Sequence, residues 1–323
     1  MPLLKCLKTL AIVPALLLAA ASPPADERPR ETLESLLALD IATARIGYRI
    51  VTANAMLCDE RIPASGMLLH GIEQYGGEYR DAAARLFTLG EAPGVAAVLP
   101  GTPAADAGVR AGDAVLAING VPTAVPASLR GKGDFDRMAL VFDQFEEALV
   151  AGPVTLDIVR GGERLSIGFA GVPACASRFQ LEPSSELNAS ADGRYVQISS
   201  AFVGYFANDD EFAAIMAHEI AHNILRHRDR LDAQNIPRGF FSKFGKNAAR
   251  IRETEIEADK FSLKLLANAG FRMEAAPDFW RRFGPEHGYG IFSDATHLRW
   301  KKRVAMLEAE IVALRQAAAN TER

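Results

Sequence analysis

The 323-residue sequence predicts an α+β protein with more than one domain, on three observations. Apolar residues recur at helical spacing between residues 31 and 57 and again through the last third of the chain. Between about 85 and 169 the pattern changes to short apolar runs separated by Gly and Pro turns, the signature of strands. At roughly 100–200 residues per domain, the length suffices for about two separate cores. A composition of 49% hydrophobic and 24% charged residues excludes disordered, collagenous and coiled-coil classes. The net charge of −4 argues against a general nucleic-acid binder. Of six histidines only His70 precedes residue 218, so chemistry is expected near the C-terminus.

The chain opens with Lys5 and Lys8, an apolar run from Leu10 to Ala21, and small residues Ala19-Ala20-Ala21-Ser22. That order describes a secretory signal peptide over 1–21. The run is shorter than the roughly 20 residues of a spanning helix and contains Pro14. Export is therefore expected, the alternative being an uncleaved membrane anchor. Cleavage after Ala21 removes Lys5 and Lys8 and takes the charge from −4 to −6. Cys58 and Cys175 then remain, and an oxidising compartment permits a disulfide between them.

A helical region over 22–82 follows, with Leu33, Leu36, Leu37, Ala44, Tyr48, Val51 and Ala55 as its buried stripe over 31–57. An irregular stretch from Pro63 to Gly77 ends it. Val95, Ala97 and Leu99 alternate as a strand, and Ala114–Ile118 forms the next, closed by the turn pair Asn119-Gly120. A helix carrying Met138, Val141, Phe142, Phe145 and Leu149 leads to a hairpin, 154–159 and 164–169, around Gly161-Gly162.

The run Pro100-Gly101-Thr102-Pro103-Ala104-Ala105-Asp106-Ala107-Gly108, with Gly112-Asp113 and Ile118-Asn119-Gly120, resembles the PDZ domains of bacterial periplasmic proteases. The resemblance implies a β-sandwich or barrel domain over 83–172 that takes a peptide or a C-terminus by adding a strand to a sheet edge. Leu86–Gly90 is the weakly marked counterpart of its carboxylate-binding loop.

The strongest chemistry lies in 173–323. Asn208 can cap a helix and Glu211 can complete a capping box. That helix carries His218-Glu219-Ile220-Ala221-His222. Histidines four apart share one helical face and suit two ligands of a tetrahedral zinc. Glu219 beside them is placed to take a proton from an attacking water and return it to a leaving amine. A helix from Arg250 to Ala267 presents Glu255 and Asp259 on one face with the small Ala258 and Ser262. Glu255 is the expected third ligand and Asp259 the hydrogen-bond partner of a ligand histidine. Glu257, about 200° around the helix, is the alternative ligand and cannot share that face. A solvated acidic face accounts for Glu253 and Glu257 more readily than for Asp259.

These two segments resemble the HtpX-like gluzincin metallopeptidases, which include CAAX prenyl proteases and soluble periplasmic quality-control proteases. The resemblance covers about 180–310. It implies a mostly helical zincin domain with a small edge-strand sheet, one zinc per chain, and hydrolysis of peptide bonds in misfolded or envelope proteins. It implies that Tyr195–Ser199 is the edge strand that holds substrate backbone. It implies that His297 approaches the metal, to steady the oxyanion or act as a resting ligand. Arg303 keeps the family's spacing after that histidine, although Leu298 stands where the family has proline. His227 and His287 match nothing and are read as surface residues. The basic, aromatic stretch 237–245 reads as a lid, a peripheral membrane contact or a packed loop. Val304, Leu307, Ile311 and Leu314 form the buried stripe of a last helix. The function expected is an exported zinc metalloendopeptidase with polypeptide substrates and no nucleic-acid partner. The alternative is a chaperone or adaptor that keeps the fold without proteolysis.

Overall fold

The computed structural model describes residues 27–123, 135–236, 245–287 and 298–321. The leader 1–21, His297 and all but the last residue of the 237–245 stretch lie outside the described residues.

Helix α1 (Glu27–Ala53) buries Ile46, Ile50 and Val51 in the helical core and Leu33 against Ala82 and Ala83. It stops at Asn54, whose amide donates to the carbonyls of Ile50 (2.8 Å) and Leu265 (3.0 Å). A single 3₁₀ turn, Ala55–Leu57, occupies what the periodicity reads as the helix's last turn. Gly47 sits in α1 because the ring of Phe179 fills its side-chain space: a Cβ there would lie 2.5 Å from that ring.

The first sheet joins β1 (Met67–His70), β2 (Gly94–Val98), β3 (Ala114–Ile118), β5 (Val154–Arg160) and β6 (Glu163–Phe169) in that order, all antiparallel. The short β4 (Val121–Pro122) pairs with β3, and the helices α2 (Tyr79–Leu86), α3 (Pro103–Asp106) and α4 (Asp136–Ala151) fill the connections. α4 packs Met138, Val141, Phe145 and Leu149 against Val115, Leu156 and Ile158. Asn119 (φ 51°) and Gly120 (φ 75°) both take left-handed backbone, which lets the β3–β4 turn match the twist of its strands. β1 lies within the stretch that the sequence reads as irregular. Its four residues, Met67-Leu68-Leu69-His70, have no polar–apolar alternation to mark a strand, and a register shift between Leu68 and Leu69 breaks the pairing to β2. Leu86–Gly90 ends α2 and does not flank β1; the segment entering β1 is Ala64-Ser65-Gly66, with Gly66 left-handed at φ 77°.

The second unit is mostly helical. β7 (Arg178–Glu182), β8 (Ala189–Ala191) and β9 (Tyr195–Ser199) form a sheet in the order β7-β9-β8. β9 is therefore the central strand, parallel to β7 and antiparallel to β8, which corrects the expectation that Tyr195–Ser199 is an edge. Its inward residues Val196 and Ile198 are fully buried, which a central strand requires. The helices are α5 (Ser200–Tyr205), α6 (Asp209–Ile224), α7 (His227–Ala233), α8 (Gly245–Asn268), α9 (Ala275–His287) and α10 (Trp300–Thr321). One core gathers Ile46 and Ile50 of α1, Phe202, Met216, Ile220, Leu266, Phe279, Phe283, Leu307 and Ile311. None of the described helices is long and apolar enough to cross a membrane.

A disulfide and an ion cluster are among the contacts that join the units. Cys58 and Cys175 are disulfide-bonded, with Cα atoms 5.5 Å apart, beside short antiparallel bridges from Arg61 to Cys175 and from Ala64 to Val172. The buried guanidinium of Arg178 on β7 reaches Asp143 (2.6 Å) and Glu146 (2.5 Å) on α4.

Candidate metal centre

α6 is the buried axis of the second unit. The side chain of Asn208 accepts from the backbone N–H of Glu211 at 3.0 Å, as the capping pattern predicts. The Glu211 carboxylate accepts instead from Ala207 N–H, one residue earlier than a capping box requires, and pairs with Arg282. Ala213, Ala214, Ala217 and Ala221 keep the helix thin, so α8 packs close alongside.

That close approach brings His218, His222 and Glu255 together. His218 Nε2 lies 3.2 Å from His222 Nε2 and 3.3 Å from Glu255 Oε2, and His222 Nε2 lies 3.5 Å from Glu255 Oε1. Zinc at about 2.0–2.1 Å from nitrogen and oxygen ligands has tetrahedral ligand–ligand edges of roughly 3.3–3.4 Å. The triangle thus has the size of one face of a tetrahedral zinc site, and two imidazoles with one carboxylate are a donor set that zinc takes. Among the described residues it is the one cluster of this kind.

The surrounding groups set the protonation states. His218 Nδ1 donates to Asp259 Oδ1 at 2.9 Å, which turns Nε2 toward the triangle. Burial, and then the charge of Arg303, oppose a positive His218; Asp259 and Glu255 outweigh both and raise it to about 10. Burial dominates at His222 and pushes it down to about 3, so it is neutral. Asp259 itself is buried, which favours its neutral form, but Arg303 and His218 hold it below the ordinary carboxylate range. Arg303 donates to Asp259, and its guanidinium carbon stacks 3.9 Å from the Trp280 ring centre. Glu219, next to His218 on α6, is buried as well. Asn223, one residue past His222, donates to Ser177 (2.8 Å) and accepts from Gly193 N–H (2.8 Å), fixing the helix against the sheet.

Glu257 faces elsewhere. It pairs with Arg230 at 2.9 Å and with His227 Nε2 at 3.2 Å. His227 is 1% exposed, not a surface residue, and its Nδ1 lies 2.9 Å from His222 Nδ1. Helical spacing gives no sign of this, because a helix continued by five residues puts a side chain about 140° away. Arg226 takes left-handed backbone (φ 52°) between α6 and α7 and turns His227 back onto His222. His287 is half-buried and packs against Tyr205 and Phe283.

Comparison with known proteins agrees with this geometry. A PDZ domain description matches residues 94–134, and the description of peptidase family M48 matches 156–246. The chain is 30% identical to a putative beta-barrel assembly-enhancing protease of Vibrio cholerae over segments covering 30% of this chain and 26% of that protein. It is 29% identical to the mitochondrial metalloendopeptidase OMA1 of Schizosaccharomyces pombe, over 31% of this chain and 36% of that protein. The matches thus span about a quarter to a third of these relatives. Residues 94–134 are thus similar to PDZ domains and residues 156–246 to peptidase family M48. Glu255, Asp259 and Arg303 lie beyond the residues that the family description matches.

Proposed function

We propose that this chain, with its M48-like and PDZ-like segments, is an exported zinc metalloendopeptidase whose ligands are His218, His222 and Glu255. The observation that carries the reading is the 3.2–3.5 Å triangle of these three side chains, walled by Asp259 and Arg303. Bound there, zinc supplies Lewis acidity to a scissile carbonyl and to the attacking water. Glu219 takes the proton from that water and delivers it to the departing amine. Asp259 holds His218 in the tautomer that frees Nε2, and Arg303 keeps Asp259 ionised. β8, at the sheet's edge and packed on α6, offers backbone groups to an extended substrate. His297 completes the site by resemblance, as a donor to the oxyanion or a fourth ligand.

In the PDZ-like unit, β1 is an edge strand, and a cavity of about 280 Å³ opens between it and α4. Leu68, Phe142 and Phe145 line it from that unit, and Tyr48 and Phe179 from α1 and β7. We assign polypeptide recognition to this groove. The name of the Vibrio relative supports an envelope setting and envelope proteins as substrates.

The deciding experiment compares wild type with Glu219→Gln on an unfolded protein substrate, with zinc measured in both. Wild type cleaves with one zinc per chain; the variant keeps its zinc and loses about 10²–10⁴ in rate. A zinc-loaded wild type without cleavage returns the adaptor reading, and an active Glu219→Gln protein removes Glu219 from its role.

A further inference from the structure

The metal centre has a second, longer support that neither the family match nor the motif assigns. His222 Nδ1 and His227 Nδ1 are 2.9 Å apart, His227 Nε2 and Glu257 Oε2 are 3.2 Å apart, and Glu257 is anchored by Arg230 at 2.9 Å. A hydrogen bond between two Nδ1 atoms needs one proton, and the chain of contacts decides where it sits. With Nε2 of His222 turned to His218 and Glu255, its Nδ1 carries hydrogen and donates to Nδ1 of His227. His227 then carries its own hydrogen on Nε2 and donates to the Glu257 carboxylate. Each bond has one donor and one acceptor, and both rings are neutral.

We infer that His227 is a positioning residue for the metal centre, holding His222 in its Nε2-ligating tautomer and orientation through Glu257 and Arg230. The inference rests on the reading of His218, His222 and Glu255 as zinc ligands. It makes the two histidines unlike. His218 is oriented directly by Asp259, deep beside Arg303, whereas His222 is oriented through an imidazole that ends on a half-exposed carboxylate. It also gives Glu257, which cannot share a face with Glu255, a place in the same site from the opposite side. The geometry depends on the left-handed Arg226, which returns the chain at the end of α6.

The test titrates zinc into the full chain against a chromophoric chelator for wild type, His227→Ala and Glu257→Gln. Loss of such an orienting partner weakens metal binding by about 10–100-fold. His227→Ala is expected to show that loss at unchanged one-to-one stoichiometry, and Glu257→Gln a smaller loss of below about tenfold. Glu257→Gln keeps side-chain volume at a half-exposed position, so it reports even where His227→Ala folds poorly. Nitrogen-15 spectra of the histidine-labelled zinc form provide a signature that packing alone does not: His222 bound through Nε2, and His227 protonated on Nε2. Wild-type affinity in both variants, or His227 protonated on Nδ1, overturns the inference while leaving the ligand reading intact. A wild type that takes up no zinc overturns the ligand reading first, and this one with it.

Discussion

His218 Nδ1 donates to Asp259 Oδ1 across 2.9 Å, joining α6 to α8 through the ring nitrogen that does not face Glu255. The carboxylate stays charged in a buried place because Arg303, itself buried, donates to the same oxygen. Asp259→Asn keeps the shape and removes the charge, which leaves Arg303 buried without its counter-ion. Zinc affinity is expected to fall about 10–100-fold, measured by chelator competition. Unaltered affinity would remove Asp259 from the site's support.

Arg178 is the polar clasp between the two units, and Tyr195, Asp143 and Glu146 all accept from it. Both acids are on α4, and Glu146 lines the cavity against β1. Arg178→Met keeps much of the side-chain bulk and leaves the partly buried Asp143 and Glu146 with only the exposed Arg194 as a cationic partner. Expected destabilisation is about 2–4 kcal/mol, read from urea unfolding followed by separate probes of the two units. Coincident, unshifted transitions would show that the clasp adds nothing.

The Cys58–Cys175 disulfide joins residues 117 apart in the chain and encloses the whole first sheet. A loop of that length implies up to about 4–5 kcal/mol of stabilisation through the unfolded state. The Cys58→Ser, Cys175→Ser double variant is expected to lose a large part of it, measured by denaturant midpoints under oxidising conditions. Reducing agent should then lower the wild-type midpoint and leave the variant's where it was.

His70 is buried with Nδ1 2.9 Å from the Tyr75 hydroxyl, and burial pushes it down to about 4. It is neutral in the fold but takes a proton in the unfolded chain near its ordinary 6.5, so stability falls as pH drops from about 6.5 to 4. Burial raises Asp40 to about 6, and the sign there is opposite: its contribution is present below the ordinary value and lost as pH rises through 6. In wild type the two slopes partly cancel. His70→Gln removes one of them, so the variant should gain relative to wild type by up to about 3 kcal/mol between pH 7 and pH 4. Unfolding curves at pH 7, 5.5 and 4.5 measure this, and parallel stability profiles would contradict it.

The parts of the fold legible in the sequence are those decided within a few residues. The hairpin around Gly161-Gly162 pairs Arg160 with Glu163, and the helix over Met138–Leu149 buries Met138, Val141, Phe145 and Leu149, with Phe142 half-buried beside them. β1 was not legible, because four consecutive residues without alternation carry no period. It pairs with β2 so that His70 stands opposite Gly94, with α2 lying between them in the chain. No turn residue next to β1 could therefore announce its partner.

Neighbouring residues are enough to specify the helix that puts His218 and His222 on one face, its Asn208 cap, and the left-handed turn at Asn119-Gly120. They also narrow the carboxylate proposed as third ligand to Glu255 or Glu257 on a second helix, with Asp259 favouring the face of Glu255. Docking of that helix decides which carboxylate meets the histidines. α8 lies on α6 with Glu255 toward the histidines and Glu257 toward Arg230. Tertiary packing likewise makes β9 the central strand and folds His227 back onto His222. The reason is physical: spacing along a helix or strand is set by local backbone geometry, whereas the choice of partner is set by packing between segments far apart in the chain.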